Sequence, residues 1–213
     1  MKKILILFFL FLFIPIVKAE EIEDLAPNAK SAIMIEASTG EILYQKNAYE
    51  KLAPASMTKM MSMLLIMEEI EKGTLKWDEM ITASEKSSSM GGSQIFLKAG
   101  EKMSVTDMLK GIAIASGNDA TVAMAERISG SEEAFVKKMN TRGKELGLKN
   151  TNFVNSTGLD IDNHYSSAYD MSLIAKELIK HEKILDFSGT YEDYLRKDTK
   201  SPFWLVNTNK VVY

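Results

Sequence analysis

Two residue types that together support nucleophilic chemistry stand three positions apart in the run Pro54-Ala55-Ser56-Met57-Thr58-Lys59, directly before the apolar stretch Met60 to Met67. A helix starting at about Ser56 puts Ser56 and Lys59 on one face, because its repeat is 3.6 residues. A serine hydroxyl is a weak nucleophile until a neighbouring base takes its proton. An ammonium becomes that base only when burial lowers its pKa well below about 10.4, and the surrounding Met and Leu residues offer such burial. The first turn of a helix also presents free N–H groups and a positive dipole end to an oxyanion. The spacing alone equally suits a serine that only caps a helix.

A second polar cluster, Ser116-Gly117-Asn118, falls where one helical pattern stops and another starts. Glycine between two polar residues at such a junction permits a sharp turn that aims both side chains outward. The plain alternative is that Ser116 ends one helix and Asn118 caps the next.

The elements that must position these residues follow from periodicity. Ser31 to Glu36 and Glu41 to Lys46 alternate at the strand period around Gly40 and predict a hairpin. Pro54 then bars an earlier helix and leads into one over Ser56 to Gly73, with Met60, Met63, Leu64 and Met67 as its expected apolar face. Thr74 to Glu101 reads as loop and short strand, most flexible at Gly91-Gly92-Ser93-Gln94. Ser104 opens a helix running to Ala115 on the apolar residues Met108, Leu109, Ile112 and Ile114. Further helices are expected over Asp119 to Ile128, Ser131 to Leu146 and Ser167 to Lys180, with a loop over Asn150 to Leu159 and a strand starting at Phe203 to Val206. His164, in the loop before the last helix, reads as structural and not catalytic.

The chain has 213 residues, 46% of them hydrophobic and 26% charged, enough for one domain with a sizeable core. Lys2 and Lys3, the apolar run Ile4 to Val17 and the small-x-small triplet Val17-Lys18-Ala19 read as an export leader over residues 1–19. The formal net charge is −3, and loss of the three leader lysines makes it −6, so nucleic acid is not an expected partner. There is no cysteine and only His164 and His181, which leaves neither a disulfide nor a thiol nucleophile and makes a metal site or other cofactor unexpected.

Taken together these residues resemble the penicillin-binding serine D-alanyl-D-alanine carboxypeptidases, the low-molecular-mass relatives of class A β-lactamases. Ser56-Met57-Thr58-Lys59 is similar to their first motif and Ser116-Gly117-Asn118 to their second. The flanks Gly92-Ser93, Asn155-Ser156-Thr157-Gly158-Leu159 and Tyr165-Ser166-Ser167-Ala168 extend the likeness along the chain. The resemblance implies an α/β (α+β) domain of β-lactamase/transpeptidase type, with helices packed on an antiparallel sheet. It implies Ser56 as nucleophile, Lys59 as general base, Ser116 as proton relay and Asn118 as a substrate hydrogen-bond partner. The implied partners are peptidoglycan stem peptides and, as covalent inhibitors, β-lactams, with peripheral membrane association in a longer form. The third motif of the family, Lys-Thr-Gly, does not occur before Tyr213. Residues 20–213 are therefore expected to be the N-terminal and central part of the catalytic domain, with C-terminal strands missing, and an impaired or inactive remnant is the alternative. A β-lactamase is the less favoured enzyme reading, because no Glu-x-x-Leu-Asn loop occurs between Asn155 and Ser167.

Overall fold

The computed structural model describes residues 24–212, so the expected leader and Tyr213 lie outside the described residues. Strands β1 (Ala32–Ile35) and β2 (Ile42–Lys46) form the expected antiparallel hairpin, paired from Ala32 with Lys46 to Ile35 with Ile42. After it the chain passes Pro54 into a 3₁₀ turn, Ala55–Thr58, and only then into helix α1 (Lys59–Glu71). Ser56 thus sits on a tighter turn than expected. Three residues per turn bring positions i and i+3 into near eclipse, so the face shared by Ser56 and Lys59 survives the change.

Helix α1 is the centre of the domain. Met61, Leu64, Leu65, Ile66 and Met67 are all buried, whereas Met60 and Met63 are only half-buried. The expected single stripe is therefore replaced by burial on nearly all sides, as befits a central helix with neighbours all round.

The segment expected to be loop and short strand holds β3 (Met80–Thr82) and the short helix α2 (Glu85–Ser88). Beyond it β4 (Lys102–Ser104) pairs antiparallel with β3 and runs straight into α3 (Val105–Ala115). Ser104 caps α3 by accepting from Asp107 N–H at 3.1 Å. Helices α4 (Asn118–Ser129), α5 (Glu132–Glu145) and α6 (Ala168–Leu178) follow, the last two capped by Ser131 and Ser167 as their sequences suggest. A short α7 (Lys183–Ser188) leads to the antiparallel pair β5 (Glu192–Leu195) and β6 (Phe203–Val206), of which only β6 was expected.

The class is mixed α/β with helices packed on antiparallel strands: α6 lies on β1 and α3 on β6. Among the described residues the strands form three separate two-stranded sheets. Phe135 and Phe153 complete a continuous apolar core with α1 and α3. No helix of the described residues is long and apolar enough to cross a membrane.

Candidate active site

The site is built where the 3₁₀ turn enters α1. Ala55, just before Ser56, holds a left-handed backbone with φ of 47°. For a residue with a Cβ that conformation is uncommon and costs of order 1–3 kcal/mol unless the surroundings impose it. The surrounding constraint is Gly158, packed against the Ala55 carbonyl.

Ser56 is exposed, and Lys59, three residues on, is 2% exposed. Lys59 Nζ lies 3.0 Å from Ser56 Oγ and donates to the Thr157 carbonyl at 2.9 Å. Among the described residues no carboxylate bonds to it, and burial pushes its pKa down to about 8. At that value roughly a tenth of the molecules carry the neutral amine at pH 7, against less than about a thousandth for a free lysine. The amine form can keep one N–H on Thr157 and accept the Ser56 hydroxyl proton through its lone pair.

The loop Asn155–Gly158 is held in shape by its own first residue. Asn155 Oδ1 accepts from Thr157 N–H at 3.1 Å and Gly158 N–H at 2.7 Å, and its Nδ2 donates to Leu159 O. Ser62, one turn beyond Lys59, donates to the Ser156 carbonyl at 2.6 Å. Lys59 and Ser62 of α1 thus engage successive carbonyls of one loop.

Beneath Ser56, Thr58 is fully buried and meets His164 Nε2 at 2.8 Å. His164 Nδ1 accepts from Val154 N–H at 3.1 Å, which fixes the neutral Nε2–H tautomer and makes the ring the donor to Thr58 Oγ1. Burial pushes the His164 pKa down, against a smaller opposite pull from Asp160. The ring bridges the 3₁₀ turn at Thr58 and the distant loop at Val154.

The second cluster lies at the junction of α3 and α4. Ser116 is the left-handed residue ending α3, with φ of 58°, and its Oγ is buried without a hydrogen-bond partner. Asn118 opens α4, donates from its backbone to Ser93 O and from Nδ2 to Gly91 O, both at 2.7 Å, and leaves Oδ1 buried and unpartnered. Gly92 has φ of +77°, and a Cβ on it would stand 2.8 Å from Asn118 Nδ2. Asp119 secures the same strand of chain from below by accepting the N–H groups of Ile95, Leu97 and Ala120 at 2.9 to 3.1 Å.

Ser56 and Lys59 are therefore in direct contact, while Ser116 makes no hydrogen bond to either. The two parts are joined through the intervening loops: Gly158 abuts Ala55, and a Cβ on Gly92 would meet both Leu159 and Asn118. Buried polar atoms without partners are rare in folded proteins and call for an explanation. Here the Ser116 hydroxyl and the Asn118 carbonyl oxygen are such atoms in one short junction. Sequence reasoning missed Thr157, Ser62 and Gly158 as parts of the site. For Thr157 and Gly158 the signals were the turn-forming quartet Asn155-Ser156-Thr157-Gly158 and its likeness to the family; Ser62 had none. No group of three or more His, Asp or Glu able to hold a metal ion occurs among the described residues.

The chain, whose Ser56–Lys59 pair spans the junction of the 3₁₀ turn and the central helix, matches the peptidase S11 model, D-alanyl-D-alanine carboxypeptidase, over residues 17–213, and belongs to that family. It is 65% identical over 189 residues to the D-alanyl-D-alanine carboxypeptidase DacF of Bacillus subtilis, covering 89% of this chain and 49% of that protein. Identity to DacC of Escherichia coli is 40% over 179 residues, covering 80% and 45%. Among solved structures, penicillin binding protein 5 from Haemophilus influenzae superposes with a TM-score of 0.80 at 33% identity, covering 86% of this chain and 53% of that one. Penicillin binding protein 6B from Escherichia coli gives 0.81 at 29% identity, covering 87% and 59%. The chain spans about half the length of the curated relatives it matches.

Proposed function

We propose that the chain is the Ser56-bearing part of an exported serine D-alanyl-D-alanine carboxypeptidase that removes the terminal D-alanine from peptidoglycan stem peptides through an acyl-enzyme. The observation that carries this reading is Lys59, buried, lowered to a pKa of about 8 and 3.0 Å from an exposed serine hydroxyl. Family membership and the carboxypeptidase activity for which the relatives are named support it.

In this mechanism the neutral Lys59 amine takes the Ser56 proton as Oγ attacks the carbonyl carbon of the terminal D-Ala–D-Ala bond. A C–O bond forms and the carbonyl becomes an oxyanion. Collapse of the tetrahedral species breaks the C–N bond, and the leaving D-alanine nitrogen takes the proton from Lys59, relayed by Ser116, which leaves Lys59 neutral again. Water then attacks the carbonyl carbon of the Ser56 ester, giving up a proton to Lys59; the bond from that carbon to Ser56 Oγ breaks, Lys59 returns the proton to Oγ, and the shortened peptide leaves. Asn118 orients the substrate, its unpartnered Oδ1 being free to accept from a peptide N–H. A β-lactam presents a strained amide to the same serine and stops at the ester.

The test is intact-mass analysis of the purified protein after incubation with benzylpenicillin, beside Ser56→Ala. One adduct per chain that disappears in the variant is the expected result. No adduct on a protein shown by circular dichroism to be folded overturns the reading.

A further inference from the structure

The loop that receives Lys59 is gripped from its other side by a charged group on a different helix. Glu132, the first residue of α5, is 8% exposed. Its Oε1 accepts from Ser156 N–H at 3.1 Å and from Ser156 Oγ at 2.8 Å. Its Oε2 lies 3.0 Å from Lys86 Nζ on α2. A carboxylate taken out of water is tolerated only when it is paired and hydrogen-bonded, and Glu132 meets both conditions with one oxygen each.

What Glu132 holds is adjacent in sequence to what Lys59 touches. Ser156 gives its N–H and hydroxyl to Glu132 and its carbonyl to Ser62, and the next carbonyl, that of Thr157, accepts from Lys59. Any shift of Ser156 is passed through one peptide unit to the acceptor that sets the position of Lys59 Nζ. The Lys86 end reaches the other half of the site. The chain runs from α2 directly to Gly91 and Ser93, whose carbonyls hold the side chain and backbone of Asn118.

We propose that Glu132 is a positioning residue for the Ser56–Lys59 pair, acting through Ser156, and that its ion pair with Lys86 ties the loop beneath Lys59 to the loop that holds Asn118. This rests on the acyl-enzyme reading above. The charged neighbours of Glu132 are Lys86 from α2 and, on its own helix, Glu133, which also pairs with Lys86 at 2.7 Å. Glu133 keeps Lys86 accompanied when Glu132 is neutralised, so the hydrogen bonds to Ser156 can be tested apart from the charge.

The experiment is the rate of benzylpenicillin acylation, followed by intact mass against pH, for the unsubstituted protein, Glu132→Gln and Glu132→Ala. Glutamine keeps an acceptor for Ser156, and its rate is expected within about threefold of the parent. Alanine releases the loop and is expected to slow acylation by about ten- to 100-fold, the range that a misplacement of up to 1 Å produces. The rising limb of its pH profile should also move to higher pH, because water entering beneath the lifted loop restores solvation to Lys59. Mere loss of stability lowers the amount of labelled protein without moving that limb. If Glu132→Ala does not fold, Ser156→Ala, which removes one of the two bonds, carries the same test with a smaller loss in the same direction. Parent-like rate and pH profile in the folded variant overturn the proposal, as does glutamine behaving like alanine. Failure of the parent itself to label is the separate result that removes the acyl-enzyme reading.

Discussion

Gly158 and Ala55 meet backbone to backbone: a Cβ built on Gly158 would stand 1.8 Å from the Ala55 carbonyl oxygen and 2.3 Å from its carbon. Gly158 also has φ of +87°, a region that side chains rarely enter. Gly158→Ala therefore forces the loop and the 3₁₀ turn apart. It is expected to destabilise the fold by about 2–4 kcal/mol, from overpacking and backbone strain together, and to slow penicillin labelling of Ser56. Urea unfolding followed by circular dichroism, beside the labelling rate, checks both parts.

In the proposed mechanism Lys59 carries the pH dependence. Only its neutral form can take the Ser56 proton, so acylation should rise with pH through about 8 and level off above it. Lys59→Met should lower the rate by about 10²- to 10⁴-fold, the usual worth of a general base. Its stability should move the other way. Below pH 8 the parent carries a desolvated charge that methionine lacks, and the parent recovers stability as pH rises from about 8 toward the unfolded value of 10.5. The variant's advantage is therefore largest below pH 8 and shrinks above it. Thermal melts of both proteins at several pH values would show an unchanging difference if this account were wrong.

His164 gives a dependence at lower pH. Its folded pKa lies below the free value of 6.5, so below pH 6.5 the unfolded chain binds a proton that the folded chain excludes. Stability is lost as pH falls from 6.5 toward the folded pKa. Protonation would also set an N–H at Nδ1 against the Val154 N–H. His164→Gln should flatten the slope of unfolding free energy over this range while costing about 1–2 kcal/mol at pH 7, where the bonds to Thr58 and Val154 are weakened. An unchanged slope in the variant would refute the assignment.

Asp119 is fully buried and satisfies three backbone N–H groups, two of them more than twenty residues away at Ile95 and Leu97. Asp119→Ala leaves all three without acceptors. A loss of about 3 kcal/mol or more in urea unfolding is expected, with Asp119→Asn costing clearly less because one acceptor oxygen remains. Equal stability of the alanine and parent proteins would show that water takes over the three donors.

The helical pattern of the chain already placed the Ser56–Lys59 pair to within one turn. Spacing placed Ser56 beside Lys59, and the apolar run behind them foretold that Lys59 would be buried. Ser104, Ser131 and Ser167 each cap the helix their local sequence implied, because a cap is made within three residues of itself. Ser116-Gly117-Asn118 fell at a helix junction as expected, and β6 begins at Phe203 as read.

What the sequence by itself determined are features whose partners lie within a turn or a strand pair: helix positions, caps, the first hairpin and the Ser56–Lys59 face. Only the tertiary structure decided that Lys59 reaches the carbonyl of Thr157, that Ser62 takes the carbonyl beside it, that Gly158 presses on Ala55, and that Glu132 grips the same loop. These contacts join residues 24 to 103 positions apart, counting from Glu132–Ser156 to Ala55–Gly158. Several of them use backbone atoms that every residue possesses. Periodicity carries no information about such partners, because they are chosen by how the helices pack and close the loops between them.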